Sequence, residues 1–140
     1  MQPGISGLKK GAGMKIGIPK EIAESEKRVA GTPDTIQKLI KMGFEVQIET
    51  SAGERASYLD AAYEEAGASI VSAQDIWSSS DLILKLNEPT SEEVSHMREG
   101  AHLISFLYPT DNAELIEQLK AKKVTCIAMD CIPRINRAQK

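Results

Sequence analysis

"KIGIPKEIAESEKRVAGTPDTIQKLIKMGFEVQIET", residues 15–50, changes its apolar period twice, and that change decides the fold. "KIGIP" reads as a short strand. "TPDTIQKLIKMG" opens on Thr32 as an N-cap with Pro33 at the first helical position, sets Ile36, Leu39 and Ile40 on one face, and ends at Gly43. "FEVQIET" alternates again, with Val46 and Ile48 on one side. Strand, helix, strand in this order is a βαβ unit.

The rest of the chain repeats the unit. "YLDAAYEEAGA" carries Leu59, Ala62, Tyr63 and Ala66 at helical spacing, and "SIV" follows as a short strand. A helix at "AQDIWSS" leads to the strand "LILKL". "TSEEV" has the capping-box form, Thr90 with Glu93 three residues on, ahead of the strand "HLISFL". "DNAELIEQLKAKK" is the most strongly marked helix, with acids in its first turn, lysines in its last and Leu115, Ile116 and Leu119 facing inward; "VTCIAM" is the final strand. The fold class expected is α/β, a mainly parallel doubly wound sheet, Rossmann-like or flavodoxin-like, with helices on both faces.

Composition bounds the function. The 140 residues, 41% of them apolar, suffice for one domain with a core. A net charge of −3 is spread along the chain without a basic block, which argues against nucleic acid as a partner. No apolar run approaches the roughly 20 residues of a membrane helix. Residues 1–13 lack the apolar segment of a signal peptide and are expected to form a flexible extension; the "GAG" at 11–13 precedes the first strand, so it is not a dinucleotide-binding loop. Cys126 and Cys131, on or just beyond one strand, are badly placed to bridge each other and read as reduced structural thiols. His96 and His102 read as surface residues. Nothing matches a nucleophile elbow, a phosphate loop or a metal-ligand spacing.

Parallel sheets gather ligands beyond the carboxyl ends of their strands. Four segments stand there: "PKEIAESEKRVAGTP", "NEP", "YPTDN" and "DCIPRINRAQ". Through these segments the chain resembles the family of alanine dehydrogenases and the alpha subunit of proton-translocating NAD(P) transhydrogenase. The motifs that carry the resemblance are "KIGIPKEIAESEKRVAGTP", "LILKLNEP" and "MDCIPRINRAQ", in order, over residues 14–140.

The resemblance implies a division within the family. Alanine dehydrogenases have a second lysine, contacting the keto acid, where this chain has Asn87, and a histidine where it has Tyr108. Arg28, a carboxylate binder in the dehydrogenases, is present in both branches. "PRINRAQ" resembles the transhydrogenase motif, which implies that Arg134 and Gln139 lie beside the nicotinamide of NAD(H), with Arg137 off the ring. In that family the motif runs on into a second, NAD-binding lobe. Residues 14–140 are accordingly expected to be the first of two lobes, truncated before the second, with NADP(H) on a partner component and a membrane-embedded component moving protons. A cytoplasmic location at the inner membrane and a homodimeric parent are implied in the same way. Two alternatives stay open: a catalytically inactive interaction domain, and an alanine dehydrogenase relative.

Overall fold

The computed structural model describes residues 14–107 and 111–129. The strands are β1 (Lys15–Ile18), β2 (Glu45–Glu49), β3 (Ser69–Val71), β4 (Leu82–Leu84), β5 (His102–Ser105) and β6 (Thr125–Ala128). The helices are α1 (Pro33–Lys41), α2 (Asp60–Ala66), α3 (Ala73–Ser79), α4 (Ser91–His96) and α5 (Ala113–Ala121), and a 3-10 turn spans Glu54–Ala56. All six strands pair in parallel, in the order β3-β2-β1-β4-β5-β6. The parallel α/β sheet expected from the alternating periods is therefore present.

Alternation along β1 divides the core between two faces. Ile16 and Ile18 join Ile36 of α1 and Tyr63 of α2, with Val46 and Ile48 from β2. Gly17 faces the other way, toward α3, so closely that a Cβ there would lie 2.0 Å from Ser80 Oγ. Only glycine permits that approach. Gln47, beside Gly17 in register, donates from Nε2 to Ser79 Oγ and Ser80 Oγ, both at 2.9 Å. The second cluster, around Trp77, Val94, Leu103 and Leu115, lies under α3, α4 and α5.

Local signals explain most element boundaries. Thr32 accepts from Thr35 N–H at the start of α1, and Ser72 from Asp75 N–H at the start of α3. Leu59 departs from expectation: it precedes α2 as its N-cap, with φ −84° and ψ 158°, and is 65% exposed, whereas Tyr63 is fully buried. Helical spacing counted Leu59 onto a face that the extended backbone turns outward. Ile127 of β6 is 44% exposed, because its neighbours Cys126 and Ala128 take the side packed against the α3–α5 cluster.

Candidate functional site

Between β1 and β4 the chain order reverses, and in an open parallel sheet that reversal opens a crevice at the strands' carboxyl ends. The segments following β1 and β4 meet there. Glu21, 3% exposed, comes from the first, and Lys85, 4% exposed, from the second. Lys85 Nζ donates to Glu21 Oε1 at 2.9 Å. Two buried charges would be costly unless further hydrogen bonds saturated them. The carboxylate is saturated in this way: Leu86 N–H reaches Glu21 Oε2 at 2.7 Å, and Asn87 reaches Oε1 through its backbone N–H at 3.2 Å and through Nδ2 at 3.3 Å.

Asn87 links this pair to a second one. Its Nδ2 also donates to Glu26 Oε1 at 3.0 Å, and Glu26 accepts from Arg28 three times, from the backbone N–H at 2.9 Å, Nε at 2.8 Å and Nη2 at 2.9 Å. The Arg28 guanidinium, aided by the Asn87 amide, holds the Glu26 carboxyl well below its ordinary range, at about 2. Glu26 is thus a fixed acceptor at neutral pH. The loop bearing these groups is shaped from outside by Arg55, whose Nη1 donates to the carbonyls of Ala23, Glu24 and Glu26 at 3.2, 3.4 and 3.1 Å.

The third segment, after β5, closes one side. Ser105 Oγ donates to the Asn87 carbonyl at 3.1 Å, and Asn112 Nδ2 donates to the Leu107 carbonyl at 2.9 Å and to Glu88 Oε2 at 3.4 Å. A cavity of about 610 Å³ lies among these segments, its wall including Ile22, Lys85, Asn87, Glu88, Asn112 and Leu115. A second hollow of about 270 Å³, also lined by Ile22, lies between Glu49, Trp77, Glu93 and His96. Burial pushes the carboxyls of Glu49 and Glu93 above their ordinary value, opposed in both by the charge of Lys85.

These groups donate, accept and fix charge. The arrangement can orient a ligand in a crevice. His96 and His102 are both exposed, and among the described residues no group of three or more His, Cys, Asp or Glu side chains is placed to hold a metal ion. Cys126 is a free, half-buried thiol whose pKa burial raises. No helix among the described residues is long and apolar enough to cross a membrane.

Of the expected site residues, Arg28 and Asn87 come together through Glu26. Arg134 and Gln139, with Tyr108, Cys131 and Arg137, lie outside the described residues. Sequence reasoning passed over Glu21 and Lys85. The available signal was a lysine inside the apolar run "LILKL", where a charge needs a partner.

A model of the family described as alanine dehydrogenase/PNT, N-terminal domain, matches residues 17–140. The NAD(P) transhydrogenase subunit alpha of Haemophilus influenzae is 51% identical over 126 residues, covering 90% of this chain and 24% of its own. The alanine dehydrogenase of Bacillus subtilis is 39% identical over 120 residues, covering 85% of this chain and 32% of its own. Among solved structures, a transhydrogenase from Sinorhizobium meliloti superposes with a TM-score of 0.84 at 38% identity, over 89% of this chain and 37% of that one. The chain thus spans about a quarter to a third of the relatives it matches.

Proposed function

The chain belongs to the alanine dehydrogenase/PNT N-terminal domain family, and from that premise we propose that it serves in NAD(P) transhydrogenation rather than in amino-acid oxidation. In this reading residues 14–140 form the first lobe of an NAD(H)-binding component, and residues 1–13 are an extension outside it. Hydride passes between NAD(H) in this component and NADP(H) on a partner. A membrane-embedded component moves protons, the parent component is a homodimer, and the lobe sits at the cytoplasmic face of the membrane.

The observation that carries the choice is Asn87. An alanine dehydrogenase would have a lysine here to polarise the keto acid, and a neutral amide supplies neither that charge nor a proton it can give up near neutral pH. The amide is also fully committed on its nitrogen side, to Glu21 and Glu26. The higher identity to the transhydrogenase subunit, 51% against 39% for the dehydrogenase, supports the same choice.

The nicotinamide ring supplies the hydride chemistry, and the protein's part is orientation. We assign that part to Arg134 and Gln139 at the ring, with Arg28 and the Glu26 clamp shaping the crevice beside it. The test grafts residues 14–140 onto the remainder of a transhydrogenase NAD(H) component and assays hydride exchange with an NADP(H) component alongside alanine oxidation. Activity is expected in the first assay alone. Appreciable alanine oxidation would overturn the assignment.

A further inference from the structure

Residues 19–32 run from β1 to α1 without a strand or helix of their own, and they carry Glu21, Glu26 and Arg28. Backbone groups in such a segment must find their partners elsewhere. Its start is held by Lys20 N–H on Glu49 Oε1 at 2.8 Å and by Glu21 buried against Lys85. The chain then reverses in a turn closed by Glu26 N–H on the Ala23 carbonyl at 3.0 Å. Three carbonyls of this turn, those of Ala23, Glu24 and Glu26, converge on the single atom Arg55 Nη1. An NH2 group has two protons, so the three carbonyls share them; what the atom adds is positive charge where three carbonyl dipoles meet.

Arg55 reaches the turn from another element, the 3-10 turn that follows β2, and among the described residues no carboxylate forms an ion pair with it. Its guanidinium is committed to the loop backbone. The turn that it holds lies between the two halves of the site. Ile22 and Ala23, at its start, line the 610 Å³ cavity, whereas Arg55 does not. Glu26, at its end, takes the Arg28 guanidinium and the Asn87 amide. Glu26 and Arg28 are two residues apart and can meet however the loop lies. Asn87 is 61 residues from Glu26, and their bond needs the turn in its place.

We propose that Arg55 is a positioning residue for the crevice: by holding the Ala23–Glu26 turn it sets one wall of the cavity and seats the Glu26–Arg28 clamp against Asn87. The proposal rests on the reading of this crevice as part of a transhydrogenase component, and adds to it a side chain outside the cavity wall.

The first measurement needs no activity. In the full 140-residue chain, carbon-13 labelled, the Glu26 carboxyl is titrated by NMR in the parent, in Arg55→Ala and in Arg98→Ala, the last removing another exposed arginine, one paired with Asp81. Arg55→Ala should move the Glu26 titration up from about 2 by roughly one unit, as its bonds to Arg28 and Asn87 loosen, and should shift the Asn87 side-chain amide resonances. Arg98→Ala should move neither. The effect should persist in about 0.5 M salt, which screens the direct influence of an exposed charge. Arg55 is exposed, so the alanine variant is expected to fold; should it not, Arg55→Gln, which keeps an NH2 without the charge, is read in the same way. The second measurement takes the grafted protein, where Arg55→Ala should raise the KM for NADH about three- to tenfold with kcat little changed, as for a contact that serves ground and transition states alike. An unmoved Glu26 titration in the folded variant, with or without a lower thermal midpoint, would make Arg55 a surface stabiliser and overturn the proposal. A shift that disappears in salt, or an unchanged KM, would overturn it too. A grafted protein that exchanges no hydride would sink the functional reading, while the titration would still judge the hold of Arg55 on the clamp.

Discussion

Three glutamates beside the strand ends are pulled in opposite directions. Glu26 is drawn down to about 2 by Arg28 and Asn87, so its clamp contributes stability at any pH above the ordinary carboxylate range and loses it as pH falls through about 2. Glu49 and Glu93 are pushed up by burial, which means the folded chain holds their charged forms at a cost. That cost is present above the folded pKa and disappears as acid protonates them. Glu49 accepts from Lys20 N–H at 2.8 Å, a bond that a glutamine oxygen also makes. Glu49→Gln should therefore raise the thermal midpoint at neutral pH, and the gain should shrink as pH falls through the raised folded pKa, vanishing below about 4.3, where the parent side chain is neutral in both states. Thermal melts of the two proteins across pH 3 to 8 decide it, and a gain that grows on acidification would show the charge to be favourable where it lies.

At the level of elements, α4 depends on its cap. Six residues cannot nucleate a helix on their own in water. Thr90 Oγ1 accepts from Glu93 N–H at 3.1 Å and Glu93 Oε1 from Thr90 N–H at 2.9 Å, the reciprocal pair foreseen from "TSEEV". Thr90→Ala should cost about 1 kcal/mol and lower amide protection in α4 before the rest of the sheet; unchanged exchange in Ser91–His96 would contradict it. Caps of this kind, like the βαβ periodicity, are written within a few residues and were legible in the sequence. The Glu21–Lys85 pair was not, because its members are 64 residues apart and meet only through the strand order that sets β1 beside β4. Leu59 failed for the opposite reason: spacing counts positions, and the extended N-cap backbone breaks the count. Asn87 was legible as a departure from a motif, but its tie to Glu26 needed the fold.

At the scale of the molecule, the described residues have the strand order of a dinucleotide-binding sheet without the glycine-rich turn that holds a pyrophosphate. In such sheets the first strand runs through a glycine-rich turn straight into a helix whose N-terminus takes the phosphates, in the crevice where the order reverses. Here residues 19–32 separate β1 from α1, and the single glycine among them, Gly31, serves packing, since a Cβ there would lie 2.6 Å from Ile18 Cδ1. The crevice itself is filled by the Glu21 carboxylate with its own cation and backbone donors, and Glu88, Asp111 and Glu114 line the cavity beyond it. Phosphates gain nothing by entering a site already saturated with an anion. The 140-residue chain alone is therefore expected to bind NADH with a Kd in or above the millimolar range, a total of about 4 kcal/mol. The affinity should also exceed that for free nicotinamide only slightly, since the dinucleotide's phosphates find no partner among the described residues. Calorimetric titration with both ligands tests the two statements together. A micromolar Kd for NADH would mean that the chain holds the pyrophosphate after all, and would overturn the description of this sheet as one whose anion site is occupied by its own glutamate.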